Sequence, residues 1–452
     1  RHRTVAQRKG IAFQRKDFLV KPFHRQLPFT LTDAQKKVLK EIGEDMASTR
    51  RMNRLLQGDV GSGKTVVALF AMLRAVENGY QAAMMAPTEI LAEQHARTLT
   101  KLLDGLPVGV TLLTGRMGAK QRREAGYRIA SGGAGIAVGT HALIQESVAF
   151  DRLGLVVVDE QHRFGVKQRL ALAEMGTAAD MLVMSATPIP RSLALTLYGD
   201  LDVSVLDERP PGRRPVRTAL RFESARPKVL QFVREEVARG RQAYFVYPLV
   251  EESEKVDLKS ATEEYERLKE VYPDLRVALI HGQMHGDEKD EVMRAFAAGD
   301  VDVLVSTTVI EVGIDVPNAT VMVVEHADRF GMSQLHQLRG RVGRGADESY
   351  CILLASGEAR ERLKLFASTE DGFRIAEYDM RQRGYGDLFG ARQTGLPGFR
   401  FADLEKDFQL LGRARTEARR IVDADPELER HPQLRRVMEE RYGERAKMYH
   451  VG

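Results

Sequence analysis

With 452 residues, 43% hydrophobic and 29% charged, the chain is too long for one hydrophobic core and suggests about three units. No apolar run approaches the roughly 18 residues of a membrane-spanning helix, so no membrane partner is expected. A single cysteine, Cys351, excludes an intramolecular disulfide and a cysteine-cluster metal site; its setting, Tyr350-Cys351-Ile352-Leu353-Leu354, fits a buried thiol in a reduced, cytoplasmic protein.

The net charge of +5 is unevenly spread. Residues 1–27 hold eight Lys and Arg side chains against Asp17 alone, a net of +7, so the remainder carries −2. Charge therefore does not separate a nucleic-acid partner from a solvated basic linker. The lead segment reads as a linker or connecting helix from an upstream domain. The start, Arg1-His2-Arg3, has no initiator Met and suggests a fragment of a longer protein.

From residue 28 to about 206 short apolar stretches alternate with helical ones. The expected strands are 54–57, 81–86, 110–113, 136–138, 155–158 and 181–185. They are rich in Val, Ile, Leu and Met with little alternation, as in a parallel sheet covered on both faces. After the first comes Gly58-Asp59-Val60-Gly61-Ser62-Gly63-Lys64-Thr65, a full phosphate-binding loop in the strand, loop, helix order it requires. Gly58, Gly61 and Gly63 let backbone N–H groups, with that of Ser62, turn toward phosphate oxygens. The helix that follows points its positive end at the same oxygens. Lys64 is expected on the β- and γ-phosphates, and Thr65 on Mg2+. A nucleoside triphosphate is the implied ligand.

Asp159 and Glu160 follow the strand at 155–158, where carboxylates of a parallel sheet face the ligand crevice. Hydrolysis of a Mg2+-bound triphosphate needs one carboxylate on the metal and one to orient or deprotonate water. Asp159 takes the first role here and Glu160 the second. Ser185-Ala186-Thr187 ends another strand, and its hydroxyls can link the γ-phosphate region to neighbouring surfaces or simply close a turn. Gln35 can read an adenine edge through its amide, or lie exposed on a helix.

A Pro-, Gly- and Arg-rich stretch at 207–215 reads as an interdomain linker. A second α/β set follows over 216–357, with strands at 243–247, 277–281, 303–307, 321–325 and 350–354 and no phosphate loop. Gln337-Leu338-Arg339-Gly340-Arg341-Val342-Gly343-Arg344 sets three arginines around two glycines. Guanidinium groups suit phosphate oxygens, so Arg341 and Arg344 read as fingers on the γ-phosphate of a composite site; a basic nucleic-acid loop has the same composition. Thr307, Thr308, Gly313 and Asp315 follow a buried strand and can meet ribose, nucleic-acid phosphate or each other. From 358 to 452 strands vanish and Arg- and Glu-rich helices remain, with a glycine-rich interruption at 384–398.

In this order the segments resemble the superfamily 2 helicases and translocases over residues 28 to about 400. That resemblance implies two tandem RecA-like parallel-sheet domains followed by a helical hairpin and C-terminal helices. It implies that Gln35 reads adenine and that Lys64, Thr65, Asp159 and Glu160 form the Walker A and B motifs. It makes Thr88, Thr114, Gly115, Thr140 and His141 strand-gripping residues. It assigns His162, Ser185 and Thr187 to coupling. Thr307 and Thr308 would touch DNA, Gly313 and Asp315 the nucleotide, and Gln337 would couple beside Arg341 and Arg344.

A narrower resemblance is to the RecG family of bacterial branched-DNA helicases. It is carried by the run from Asp159-Glu160-Gln161-His162 to Gln168-Arg169, by Ser185-Ala186-Thr187-Pro188-Ile189-Pro190-Arg191, and by Pro248-Leu249-Val250-Glu251-Glu252-Ser253-Glu254. The stretch 376–395 resembles the translocation hairpin that RecG shares with the transcription–repair coupling factor, with Arg383 and Gln393 as its working groups. The resemblance implies a monomeric, ATP- and Mg2+-dependent double-stranded DNA translocase acting on forks and Holliday junctions in recombination and repair. It also implies an upstream wedge domain in cis. The alternatives are a transcription–repair coupling motor that pushes RNA polymerase, a non-catalytic DNA-binding scaffold with a relic triphosphate site, and an RNA helicase. Gln161-His162 and Gln168-Arg169 speak against the first, and the intact Lys64, Thr65, Asp159, Glu160 and Arg344 against the second.

Overall fold

Alternating buried strands and covering helices build two units, residues 1–208 together with 385–452, and residues 209–384. The computed structural model describes residues 10–145, 148–160, 179–187, 201–208, 214–248, 254–307, 316–345, 347–356, 360–383 and 407–448.

The first unit runs α1 (Val20–Gln26), α2 (Asp33–Ala47), β1 (Asn53–Gly58), α3 (Lys64–Glu77), β2 (Gln81–Met85), α4 (Glu89–Leu102), β3 (Val110–Leu113), α5 (Ala119–Ala130), β4 (Ile136–Gly139), β5 (Leu153–Asp159), β6 (Asp180–Ser185) and β7 (Asp202–Leu206). Its sheet has the order β3-β4-β2-β5-β6-β1-β7, and every described pair is parallel. The central strands are buried along almost their whole length, as their unbroken apolar runs require. Residues Val67, Ala68, Leu69, Met72, Leu73 and Ala75 of α3 are fully or almost fully buried on all sides of the helix, which places it inside the core. Its neighbour α2 is amphipathic and buries Ala34, Val38, Ile42 and Met46 at helical spacing.

Residues 10–27, expected as a linker or connecting helix, add to this core. Phe13, Leu19 and Phe23 are 1%, 3% and 0% exposed. Phe13 meets Tyr80 edge to face, and Phe23 meets Phe70 in the same way. Burial of side chains of this size contributes about 1.5–3 kcal/mol each. The Glu77 carboxylate accepts the N–H groups of Asp17 and Leu19, which fastens the turn before α1.

The second unit runs β8 (Val216–Phe222), α6 (Arg226–Ala238), β9 (Gln242–Val246), α7 (Glu254–Val271), β10 (Val277–Ile280), α8 (Gly286–Ala298), β11 (Val303–Ser306), β12 (Ala319–Val324), α9 (Met332–Arg339), β13 (Ser349–Ala355), α10 (Arg360–Ser368) and α11 (Gly372–Arg383). Its parallel sheet has the order β10-β11-β9-β12-β13-β8. Helices α12 (Phe408–Ala424) and α13 (Pro432–Met448) follow and group with the first unit. Cys351 lies in β13, where burial pushes its thiol up to about 12 and keeps it unreactive.

Two strands escaped the sequence reading, β7 and β8. Both are edge strands, one in each sheet. Their outer residues are partly or fully exposed, so Asp202-Val203-Ser204-Val205-Leu206 and Val216-Arg217-Thr218-Ala219-Leu220-Arg221-Phe222 lack the apolar run that marks a central strand.

Candidate nucleotide site and strand-end residues

In the first unit β1 delivers Gly58, and the chain turns through Gly61 (φ 77°) and Gly63 (φ 88°) into α3 at Lys64. Both glycines occupy left-handed backbone that side chains disfavour. The loop is also packed too closely for substitution. A Cβ on Gly63 would stand 2.3 Å from Gln35 Nε2, and one on Gly58 would stand 2.5 Å from Ser62 Oγ. Asp59 folds the loop inward. Its carbonyl accepts the Ser62 N–H at 3.1 Å, and its carboxylate accepts the Val60 N–H at 2.7 Å. Lys64 lies along the loop and donates to the carbonyls of Gly58 (2.8 Å) and Asp59 (2.9 Å). Thr65 sits in the first turn of α3, beside the loop.

Gln35 is 2% exposed. Its Oε1 accepts the Thr32 N–H, completing a capping box at the start of α2, and its Nε2 donates to Ser62 O at 2.9 Å. Such a cap stabilises by about 1 kcal/mol. Both ends of the amide are thus engaged within the protein, and Gln35 holds α2 against the phosphate loop.

The strands β5, β6 and β1 end side by side. Asp159 is level with Met184, and Ser185 with Gln57. Glu160 turns the chain at the end of β5 in left-handed backbone (φ 50°), a conformation costing on the order of 1–3 kcal/mol for a residue with a side chain. Its N–H donates to Met184 O, and its carboxylate accepts the Ala186 N–H at 3.0 Å. The Thr187 N–H donates to Ser185 Oγ, and Gln57 Nε2 donates to Thr187 O at 3.1 Å. Glu160, Ser185, Thr187 and the strand of the phosphate loop therefore form one hydrogen-bonded edge. Nothing in the residue pattern marks Gln57 for this network.

Asp159 has a partner that motif reading missed: its Oδ2 lies 2.8 Å from His95 Nε2. His95 shares the inward face of α4 with Ala92, Ala96 and Leu99. A lone histidine in that apolar stripe was the available signal. For a divalent cation the fit rests on the donor set. Thr65 and Asp159 offer a hydroxyl and a carboxylate beside a phosphate loop, the hard oxygen ligands that Mg2+ takes together with phosphate and water.

The neighbouring strands β2, β4 and β3 end in the residues expected to grip a strand. Thr88 caps α4 by accepting the Leu91 N–H. Glu89 accepts the Arg116 N–H and pairs with its guanidinium, tying the start of α4 to the loop after β3. Gly115 and His141 are exposed, whereas Thr114 and Thr140 are each 2% exposed. The outer faces here are backbone and the side chains of Arg116 and His141, with Thr114 and Thr140 beneath them.

In the second unit Gln337 lies on α9, and Arg341 and Arg344 follow it, all partly exposed. The Arg344 Nε–H donates to Gly340 O. Both guanidiniums act on the buried Tyr244, whose phenol burial pushes up to about 12 while their charges pull it down. Arg339 behaves differently. It is 3% exposed, donates to the carbonyls of Phe366 and Thr369, and covers the Phe366 ring at 4.2 Å. Thr307 follows β11 and is 1% exposed. Arg383 is the last residue of α11, which packs on α9. His162, Thr308, Gly313, Asp315 and Gln393 lie outside the described residues.

A phosphate loop, an Asp–Glu strand end and a second parallel-sheet unit with Arg341 and Arg344 after a helix are features of the helicase class. Comparison with protein families agrees. Residues 32–196 match the DEAD/DEAH box helicase family and residues 227–346 the helicase conserved C-terminal domain. The two units are thus RecA-like helicase domains. Residues 369–442 match the family described as ATP-dependent DNA helicase RecG, domain 3, C-terminal. The chain is 51% identical to an ATP-dependent DNA helicase RecG from Synechocystis over 446 residues, 98% of this chain and 54% of that one. It is 54% identical to the Thermotoga maritima RecG over 407 residues, 89% of this chain and 52% of that one. A solved structure of RecG bound to a three-way DNA junction superposes with a TM-score of 0.77 at 50% identity, covering 89% of this chain and 53% of that one. The chain belongs to the RecG family. It spans about half the length of the curated relatives it matches.

Proposed function

We propose that the chain is the ATP-driven motor of a branched-DNA helicase, hydrolysing ATP to pull on double-stranded DNA. The observation that carries this reading is the joined edge of the first unit, where the Gly58–Thr65 loop, Glu160 and the Ser185–Thr187 turn are linked through Gln57 and Ala186. ATP binds with its phosphates on the N–H groups of the loop and on Lys64. Mg2+, held by Thr65 and Asp159, would offset the charge of the β- and γ-phosphates. Glu160 orients the attacking water and takes its proton as the water oxygen bonds to the γ-phosphorus and ADP leaves. Arg341 and Arg344 stabilise the charge that develops on the transferred group, a contribution worth about 10³–10⁵ in rate.

Glu160 also accepts the Ala186 N–H, so a change at the γ-phosphate reaches the 185–187 turn directly. The strand-end residues Thr88, Gly115 and His141, and the backbone at Thr307 with Thr308 next in the chain, supply the grip on the DNA backbone. Gln337, Arg383 and Gln393, with the hairpin-like stretch expected at about 376–396, couple hydrolysis to pull. Contact with phosphate makes binding insensitive to sequence and weakened by salt. Family membership and the likeness to a relative solved with a three-way junction support a branched substrate.

The test is ATP hydrolysis with a three-way DNA junction, a linear DNA duplex and an RNA duplex of equal length. The reading expects the junction to stimulate most. Equal stimulation by RNA duplex would contradict it.

A further inference from the structure

Helix α4 touches both chemistries of the first unit. Its start, Thr88-Glu89, is tied through Arg116 to the loop after β3, among the strand-gripping candidates. Two turns later, about 10 Å along the axis, His95 meets Asp159. The two side chains are 13% and 14% exposed, so the contact is largely shielded from water and from competing salt. A carboxylate has two oxygens. One can face a metal while the other accepts the imidazole N–H, which fixes the carboxylate's rotation. The groups that hold a metal-ligating side chain in this way are worth about 10–100-fold in metal affinity or activity.

We propose that His95 is a positioning residue that sets the Asp159 carboxylate for Mg2+ and ties its orientation, through α4, to the DNA-gripping end of the helix. This rests on the ATPase reading above. It makes α4 a rigid link inside one unit. DNA pressing on the Thr88–Arg116 end shifts the helix, the His95–Asp159 hydrogen bond transmits the shift, and metal affinity responds.

The test does not require turnover: binding of a fluorescent ADP is titrated with Mg2+, with and without junction DNA, and repeated in EDTA. His95→Ala should raise the Mg2+ concentration for half-saturation by about 10-fold or more, leave ADP affinity in EDTA unchanged, and abolish the effect of DNA on the Mg2+ titration. His95→Gln, whose amide N–H can reach the same oxygen, should recover most of both. A His95→Ala protein with the wild-type Mg2+ titration and DNA response would overturn the inference, as would a His95→Gln protein no better than His95→Ala. Failure of the wild-type protein itself to bind ADP with Mg2+ would instead overturn the ATPase reading.

Discussion

In residues 1–208 the strand ends present glycine N–H groups, a lysine folded along its own loop, and the carboxylates Asp159 and Glu160. In residues 209–384 the same kind of parallel sheet ends in guanidiniums and hydroxyls: Arg341 and Arg344 after α9, and Thr307 after β11. On the proposed reading the first unit cradles the triphosphate and activates water, and the second supplies Arg341 and Arg344 against the developing charge. The sheet fixes where a ligand meets each unit, at the carboxyl ends of the strands, and the loops alone decide the chemistry. The comparison also separates two kinds of arginine within one motif. Arg339 is sealed between α9 and the carbonyls of Phe366 and Thr369, whereas Arg341 and Arg344 remain partly exposed.

The largest effect should come from Lys64→Ala, which removes the lysine of the phosphate loop. ATP hydrolysis is expected to fall by about 10³ or more with the fold intact, checked by steady-state turnover beside a circular-dichroism melt. Hydrolysis that survives would break the contrast between the units.

Arg339→Ala probes the other side of the contrast. It strips several hydrogen bonds and a ring contact from a buried site, so it should cost about 3 kcal/mol of stability, read as a lower urea midpoint. Arg341→Ala should leave that midpoint unchanged. Equal destabilisation by the two would erase the distinction between a sealed and a presented arginine.

The smallest effect concerns the opposite, amino edge of the first sheet. Asp180 starts β6, accepts the Met52 N–H at 2.7 Å, and is held up to about 7 by burial, with Asp45 adding and Met52 and Arg51 opposing. Because the folded protein keeps this proton longer than the unfolded chain, its contribution to stability is full below about pH 4 and is lost as pH rises through about 7. Asp180→Asn keeps the acceptor and removes the titration. It should flatten that part of the pH–stability curve and gain about 1–3 kcal/mol at pH 8. An unchanged slope between pH 4 and 7 would show that Asp180 does not titrate there.

Much of this plan was readable from residue order alone. The central strands announced themselves because burial on both faces demands unbroken apolar runs, and the phosphate loop because close backbone approach leaves few alternatives to glycine. What stayed hidden depends on long-range contacts. Strands β7 and β8 pair on one side only, and their polar residues conceal them. His95 becomes meaningful only when α4 lies beside the end of β5. Gln35 was legible as a residue of the nucleotide region, but its engagement by Thr32 and Ser62 was not. The basic charge of the lead segment masked Phe13, Leu19 and Phe23, which bury themselves in the core. Arg339 could not be told from its neighbours by composition, since only the packing of α9 against the end of α10 closes over it.

The proposed role of Arg344 is to act on the triphosphate that the first unit binds. Its most direct test is Arg344→Ala, assayed for fluorescent ADP binding and for single-turnover ATP hydrolysis, both with junction DNA. The account predicts ADP binding close to wild type and hydrolysis slower by about 10³ or more. Hydrolysis at the wild-type rate would contradict it, because the first unit would then be cleaving ATP without help from the second.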